Sequence, residues 1–276
     1  NIYKIRYSFN GSSFNYKENL KYTKFSPSIT FQFKRKSLRK NGSKSLITRL
    51  ISVHKETEID KPKEESDKYN IFNIRYIHSK YDAIKSTRYA VNTEFNSSFS
   101  KITSDYRYRE FFTEDKSFEL RFFGGLFLHN NSKGDYFSFG LNRGSDYLFE
   151  KSLFGRSERS GLFSQQFVIA DGGFKSRFNG DAFANQLITS ANTSVSVWRW
   201  VEIYNDAAML KNRNETARFY YENGVRFNFI PNIFEFYFPI YTNEGLQINN
   251  GYDGKIRFVI TTSLDRIYNY IRRGIL

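Results

Sequence analysis

The chain has 276 residues, no cysteine, and 42 lysines and arginines against 28 acidic residues, a net charge of +14. That excludes a disulfide framework and a thiolate metal site, and it leaves nucleic acid, anionic lipid and lipopolysaccharide headgroups as charge partners. Aromatics make up 19% of the residues, with 30 Phe and 20 Tyr, while the mean hydropathy is −0.59, and no run approaches the roughly 18 apolar residues of a membrane helix.

The first residues, Asn1 to Arg6, read as a strand and not as a signal peptide, so an exported protein would be present here in processed form or as a fragment. Ile5, Tyr7 and Phe9 alternate with Lys4, Arg6 and Ser8 in a strand that Asn10-Gly11 ends or bulges. Ile29, Phe31 and Phe33 give a second strand, and Leu46 to Lys55 a third, in which Ile47, Ile51 and Val53 share a side with Arg49. The basic runs Lys34–Lys40 and Lys61–Lys68 read as loop charges, the second inside a long exposed loop over 56–68.

Phe72, Ile74 and Tyr76 then oppose Asn73 and Arg75, and Tyr89, Val91, Thr93 and Phe95 oppose Asn92 and Glu94. Ile102, Ser104, Tyr106 and Tyr108 oppose Asp105, Arg107 and Arg109; Phe118, Leu120 and Phe122 oppose Glu119 and Arg121. After a turn at Asn130–Gly134, Phe137, Phe139 and Leu141 are expected to return as the second arm of a hairpin. From Arg143 to Gly161 the alternation lapses, yet Tyr147, Leu148, Phe149, Leu153 and Phe154 remain; the reading is a long loop that tucks against the barrel or into its lumen, with a mobile external loop as the alternative. Phe163, Gln165, Phe167 and Ile169 read as a strand reaching Phe174 through Asp171-Gly-Gly173. Leu187 to Trp198 follows, closed by Trp198 and Trp200 as interface aromatics, with Val201 to Leu210 as its return.

The clearest alternation lies over Asn223–Leu264. Val225, Phe227 and Phe229, then Phe234, Phe236 and Phe238, then Ile256, Phe258 and Ile260 each occupy one face of a run, and Arg226, Glu235 and Arg257 sit on the opposite faces. Period 2 means strands. A soluble sandwich and a membrane barrel both offer one greasy and one wet face. Charges recurring in mid-run favour the barrel, with those charges in its lumen.

The expectation is therefore an all-β, antiparallel transmembrane β-barrel of about 12 strands (range 10–14) over residues 1–264, with a short amphipathic C-terminal tail over 265–276. The lumen would collect Arg6, Arg75, Glu94, Asp105, Arg107, Arg109, Glu119, Arg121, Arg226, Glu235 and Arg257, and would be cross-linked by ion pairs and largely occluded. Lipid would meet Phe9, Phe31, Phe122, Phe139, Phe227, Phe236 and Phe258. Closure would pair Ile5–Ser8 with Ile256–Val259, because an open edge leaves backbone groups unsatisfied in hydrocarbon.

No catalytic constellation is expected. His54, His78 and His129 are too scattered for a zinc-binding pair, the serines of Gly155–Gly161 lack a nucleophile elbow, and Asp171-Gly-Gly-Phe174 opens no helix that could cradle phosphate. No cofactor and no metal is expected.

Asp146-Tyr-Leu-Phe149, Gly155-Arg-Ser-Glu-Arg-Ser-Gly-Leu-Phe-Ser-Gln-Gln166, Ala170-Asp-Gly-Gly-Phe-Lys-Ser176, Phe236-Tyr-Phe-Pro-Ile-Tyr241 and Lys255-Ile-Arg-Phe-Val-Ile260 together resemble the C-terminal part of large membrane metalloproteases (gluzincin type) of Bacteroidota. The resemblance runs over most of the chain. It implies a zinc site in a soluble domain upstream, and no residue here matches its metal-binding helix, so it carries over no catalytic role. The function implied is a bacterial outer-membrane anchor or scaffold whose partners are membrane lipids, lipopolysaccharide, its own upstream domain or other outer-membrane proteins. Two alternatives stand beside it: a pore or Omp85-type transport or assembly barrel, for which Asn142-Arg-Gly-Ser145 is a partial loop motif, and a soluble basic β-protein binding nucleic acid. Aromatics spread along continuous strand faces, not gathered in one patch, argue against nucleic acid as a partner.

Overall fold

The computed structural model describes residues 2–17, 19–34, 41–57, 66–142, 146–150, 161–178, 182–230 and 233–260. Its strands are β1 (Ile2–Lys17), β2 (Leu20–Phe33), β3 (Gly42–Lys55), β4 (Lys68–Tyr81), β5 (Lys85–Phe95), β6 (Phe99–Thr113), β7 (Lys116–Asn130), β8 (Phe139–Gly140), β9 (Phe183–Ala184), β10 (Leu187–Trp198), β11 (Val201–Lys211), β12 (Arg218–Ile230), β13 (Phe234–Thr242), β14 (Gly245–Leu246) and β15 (Arg257–Ile260). All but β8 and β9 form one antiparallel 13-stranded sheet in the order β1 to β7, then β10 to β14, with β15 also paired to β13. Among the described residues helix is confined to two single 3-10 turns, Leu162–Gln165 and Tyr252–Lys255.

Neighbouring strands are consecutive in sequence except at β7–β10 and β13–β15, so tight turns make most of the connections. Asn19 takes the left-handed conformation (φ 58) between β1 and β2, where its short polar side chain is tolerated. Between β5 and β6 the side-chain oxygen of Asn96 accepts the Ser98 N–H at 2.9 Å, an Asx turn that replaces a backbone bond.

The ladder registers fix two faces. Arg6 lies opposite Thr30, Thr30 opposite Ile47 and Ile47 opposite Arg75; Arg75 in turn faces Asn92, and Asn92 faces Thr103. Since cross-strand partners share a side of the sheet, this line and its period-2 companions define one face. The connection between β7 and β10 returns onto that face and packs Phe137, Phe139, Leu141, Tyr147 and Phe174 against Ile51, Val53, Ile71, Phe99, Phe127 and Ile188. The opposite, open face carries Tyr7, Phe9, Phe72, Phe122, Ile203 and Phe219, all exposed.

Several sequence expectations are corrected here. β1 runs through Asn10-Gly11 without a break, in register with Ser26 and Phe25; its irregularities fall instead near its two ends. The stretch from Phe137 to Leu141 is not a hairpin arm of β7: only Phe139 and Gly140 pair, with Ala184 and Phe183, in a separate two-stranded sheet. Phe139 is accordingly no open-face residue. It is 1% exposed, and a Cβ on Gly125 would come within 2.7 Å of its ring, so the glycine is what admits the phenyl ring against the sheet. The expected strand from Phe163 to Phe174 is a 3-10 turn followed by irregular backbone, because its apolar residues meet partners on more than one side. No pairing of Ile5–Ser8 with Ile256–Val259 occurs among the described residues. At Phe258 the free edge of β15 instead accepts the Phe167 N–H at 2.6 Å. The 265–276 tail and most of the 143–161 loop lie outside the described residues.

Candidate functional site

Among the described residues, charged groups, buried backbone and packed aromatics converge on the covered face. All eleven charges singled out in the sequence (Arg6, Arg75, Glu94, Asp105, Arg107, Arg109, Glu119, Arg121, Arg226, Glu235 and Arg257) fall on it by register. The aromatics Phe9, Phe31, Phe122, Phe227, Phe236 and Phe258 fall on the other face; Phe9 and Phe122 are exposed, and Phe258 is buried beside Phe236.

A relay of short polar contacts crosses the covered face. Arg49 Nε donates to Asn73 Oδ1 at 2.6 Å, Asn73 Nδ2 donates to Asn92 Oδ1 at 2.6 Å, and Asn92 Nδ2 donates to Glu94 Oε1 at 2.9 Å. The hydroxyl of Tyr147, from the inner segment 146–150, donates to the other oxygen of Glu94. Burial and the Glu94 charge push this phenol above its ordinary range, so it stays a proton donor. Lys101 Nζ donates to the Phe137 carbonyl at 2.8 Å and lies 4.0 Å from Glu94. Four rings, those of Phe99, Phe127, Phe139 and Tyr147, surround that ammonium at 4.5–5.3 Å, so cation–π attraction offsets part of its desolvation.

A second cluster ties the inner segment 171–176 to β7, β10, β11 and β12. Arg121 Nε donates to Asp105 at 2.8 Å and its Nη1 to Asn192 at 3.1 Å. Asn192 Nδ2 donates to the Gly172 carbonyl at 2.9 Å and to Asp206 at 3.0 Å, while Lys175 Nζ donates to Asp206 at 2.6 Å. Glu222 accepts the backbone N–H groups of Lys175 and Ser176 at 2.5 and 2.8 Å. Gly173 sits at φ 76, and a Cβ there would meet Asn192 at 2.5 Å; only glycine passes so close with that backbone. Further along, Arg226 bridges Glu119 at 3.0 Å and also contacts Glu202, and Arg257 donates to the Gln166 carbonyl at 3.2 Å.

Asn73, Lys101, Tyr147, Lys175, Asn192, Glu202, Asp206 and Glu222 are members that the sequence reading did not single out. For the strand residues the signal was available, since Glu202, Asp206 and Glu222 share inward parity with Arg226. Lys175 and Tyr147 sit on irregular backbone, where no periodicity points to them.

Chemically the arrangement holds backbone: its carboxylates accept main-chain N–H groups and its amide and guanidinium groups donate to main-chain carbonyls. A cavity of about 140 Å³ remains between sheet and inner segment, lined by Asn92, Glu94, Lys101, Phe139, Tyr147 and Asp171 among others, room for a few waters. Among the described residues no group of three or more His, Cys, Asp or Glu side chains is placed to hold a metal ion. No protein-family profile matches the chain, and no curated protein matches it.

Proposed function

We propose that the chain is an occluded outer-membrane β-barrel of twelve spanning strands that serves as an anchor or scaffold and not as a diffusion pore. The single observation that carries the reading is the division of the two faces: one sheet face presents exposed aromatics and aliphatics from β1 to β13, while the other holds the charges and is packed by its own inner segment. A contiguous apolar surface of that extent on a soluble monomer would be an aggregation hazard. In a bilayer it meets acyl chains, and the exposed Trp198 and Trp200 at the β10–β11 turn, with Phe112 and Phe229, supply interface aromatics at one end. The two-residue β14 is left as an ornament of the β13 end, and the remaining strands alternate direction so that β15 runs antiparallel to β1, as closure requires.

Occlusion follows from the segment that fills the covered face, and anchoring from occlusion. The resemblance to the C-terminal parts of Bacteroidota metalloproteases fits this role, with the soluble, zinc-bearing domain upstream in the full protein. Planar-bilayer recording of the purified chain tests the reading: a silent membrane is expected once vesicle flotation has shown insertion. Large, steady, porin-like conductance would overturn the anchor assignment, and failure to float would overturn the membrane one.

A further inference from the structure

The inner segment is tied to both sides of the covered face, by backbone-satisfying contacts on one side and by a few side-chain contacts on the other. Its polar contacts run to β10, β11, β12 and β15, where the inward residues are almost all buried, and on the other side to Arg49, Tyr69, Glu94 and Lys101 of β3 to β6. On β3 to β6 the inward positions include five half-buried arginines, Arg49, Arg75, Arg88, Arg107 and Arg109, of which Arg49 pairs with Glu150 and Arg109 with Glu119. Registers bring two of these arginines into line with Arg121 of β7, for Arg88 lies directly opposite Arg107 and Arg107 directly opposite Arg121. Like charges directly opposite one another destabilise a sheet. One carboxylate, Asp105, serves both Arg107 and Arg121, each at 2.8 Å. Neither Arg75 nor Arg88 has an ion pair or side-chain hydrogen bond among the described residues, and the Nε of Arg75 is buried without a partner. The Arg107 side chain keeps 43% of its surface exposed.

We infer that Arg75, Arg88 and Arg107 form a binding site for a soluble, multiply charged oxyanion of the oligophosphate class, in a blind vestibule closed on one side by the aromatic core. Planar guanidinium forks match adjacent oxygens on phosphorus and bind them bidentately. A doubly or triply charged ligand also removes the repulsion between the opposed arginines. A lipid headgroup is not the favoured source, because its acyl chains would have to follow it away from the open face into a charged interior. The inference rests on the occluded-barrel reading for its access route alone.

The test is calorimetric titration of the full purified chain in uncharged detergent with inorganic tripolyphosphate, at low and high salt, alongside thermal melting without ligand. Wild type is expected to bind, more weakly at high salt. Arg88→Gln should weaken binding by about 10- to 100-fold, the loss of charge-assisted hydrogen bonds, while leaving melting unchanged or raised, because it removes an opposed like charge. Arg107→Gln should weaken binding similarly, and Lys211→Gln at the opposite end of the strands should not. Wild-type affinity in Arg88→Gln, an equal loss in Lys211→Gln, or no binding at all would overturn the site. If the chain fails to enter vesicles yet binds in the arginine-dependent way, the site stands and the membrane reading falls; insertion with arginine-independent binding gives the reverse.

Discussion

Replacing Phe122 with Arg separates a bilayer-facing surface from a water-facing one, because the two predict effects of very different size. Phe122 is the seventh residue of the fifteen in β7, lies between Tyr106 and Ala191 on the open face, and is 49% exposed. A Phe side chain presents roughly 200 Å², so about half of it, near 100 Å², remains to be removed from water by lipid. At about 25 cal/mol per Å² that half contributes about 2.5 kcal/mol in a membrane and nothing in solution. An arginine near the midplane costs about 2–4 kcal/mol more. Phe122→Arg should therefore lower stability by roughly 4–7 kcal/mol in phospholipid vesicles, whereas an exposed position in water changes by only about 0.5 kcal/mol. Urea unfolding in vesicles, followed through Trp198 and Trp200, measures the difference. A loss below about 1 kcal/mol would refute the assignment of the open face to lipid.

Phe139→Ala should cost about 3–5 kcal/mol in the same assay, because the ring is fully enclosed between Gly125, Phe123 and Phe127 and its loss leaves a cavity; a loss under 1 kcal/mol would show that the inner segment is not packed as described. Closure makes a prediction about register. For about 12 strands tilted 35–45°, the stagger around a barrel is roughly 12–17 residues, which carries Ile260 opposite β1 near Phe9 and not near its first residues. In this cysteine-free chain, cysteine at Ile260 should crosslink best with cysteine at Phe9, and less well at Tyr7 or Gly11; crosslinking confined to Tyr3, the register of an Ile5–Phe258 pairing, would refute that stagger.

The parity of the strands was legible because period 2 survives every turn: Arg226, Glu235 and Arg257 share a face with Glu119 and Asp105 across the sheet, as alternation alone dictates. What the alternation concealed was the inner segment. Phe137, Phe139 and Leu141 keep strand spacing but are buried on all sides, and a local pattern cannot distinguish a sheet strand from a packed insert of the same spacing. Phe163 to Phe174 misled for the same reason, although Gly172 and Gly173 offered a warning. A Cβ on Gly172 would sit 2.8 Å from the Leu141 carbonyl, the mark of a close backbone crossing. Third in this group is Arg49, which shares the covered face with Ile51 and Val53: that face is aromatic and aliphatic at one end and charged at the other, so no single polarity describes it.

The two ends of that face also explain why the charges are there. An inserted segment without regular secondary structure buries backbone N–H and C=O groups that it cannot satisfy itself. Glu222 accepts two of those N–H groups, Asn192 donates to the Gly172 carbonyl, and Arg257 donates to that of Gln166. Inward polar residues on β10 to β15 are thus supplied by the sheet to irregular backbone, and Arg226 with Glu119 and Glu202 holds them in place as paired charge. Removing one partner of such a pair is far more costly than the pair is stabilising, which fixes the inner segment in a single register. Among the described residues the arginines of β4 and β5 have no such backbone to satisfy. Among the described residues Arg75 and Arg88 make no ion pair, although the charges of Glu150 and Asp105 act on Arg75. Satisfying irregular backbone therefore explains the charges on one half of the covered face and does not explain these two, which is what the proposed oxyanion site would account for.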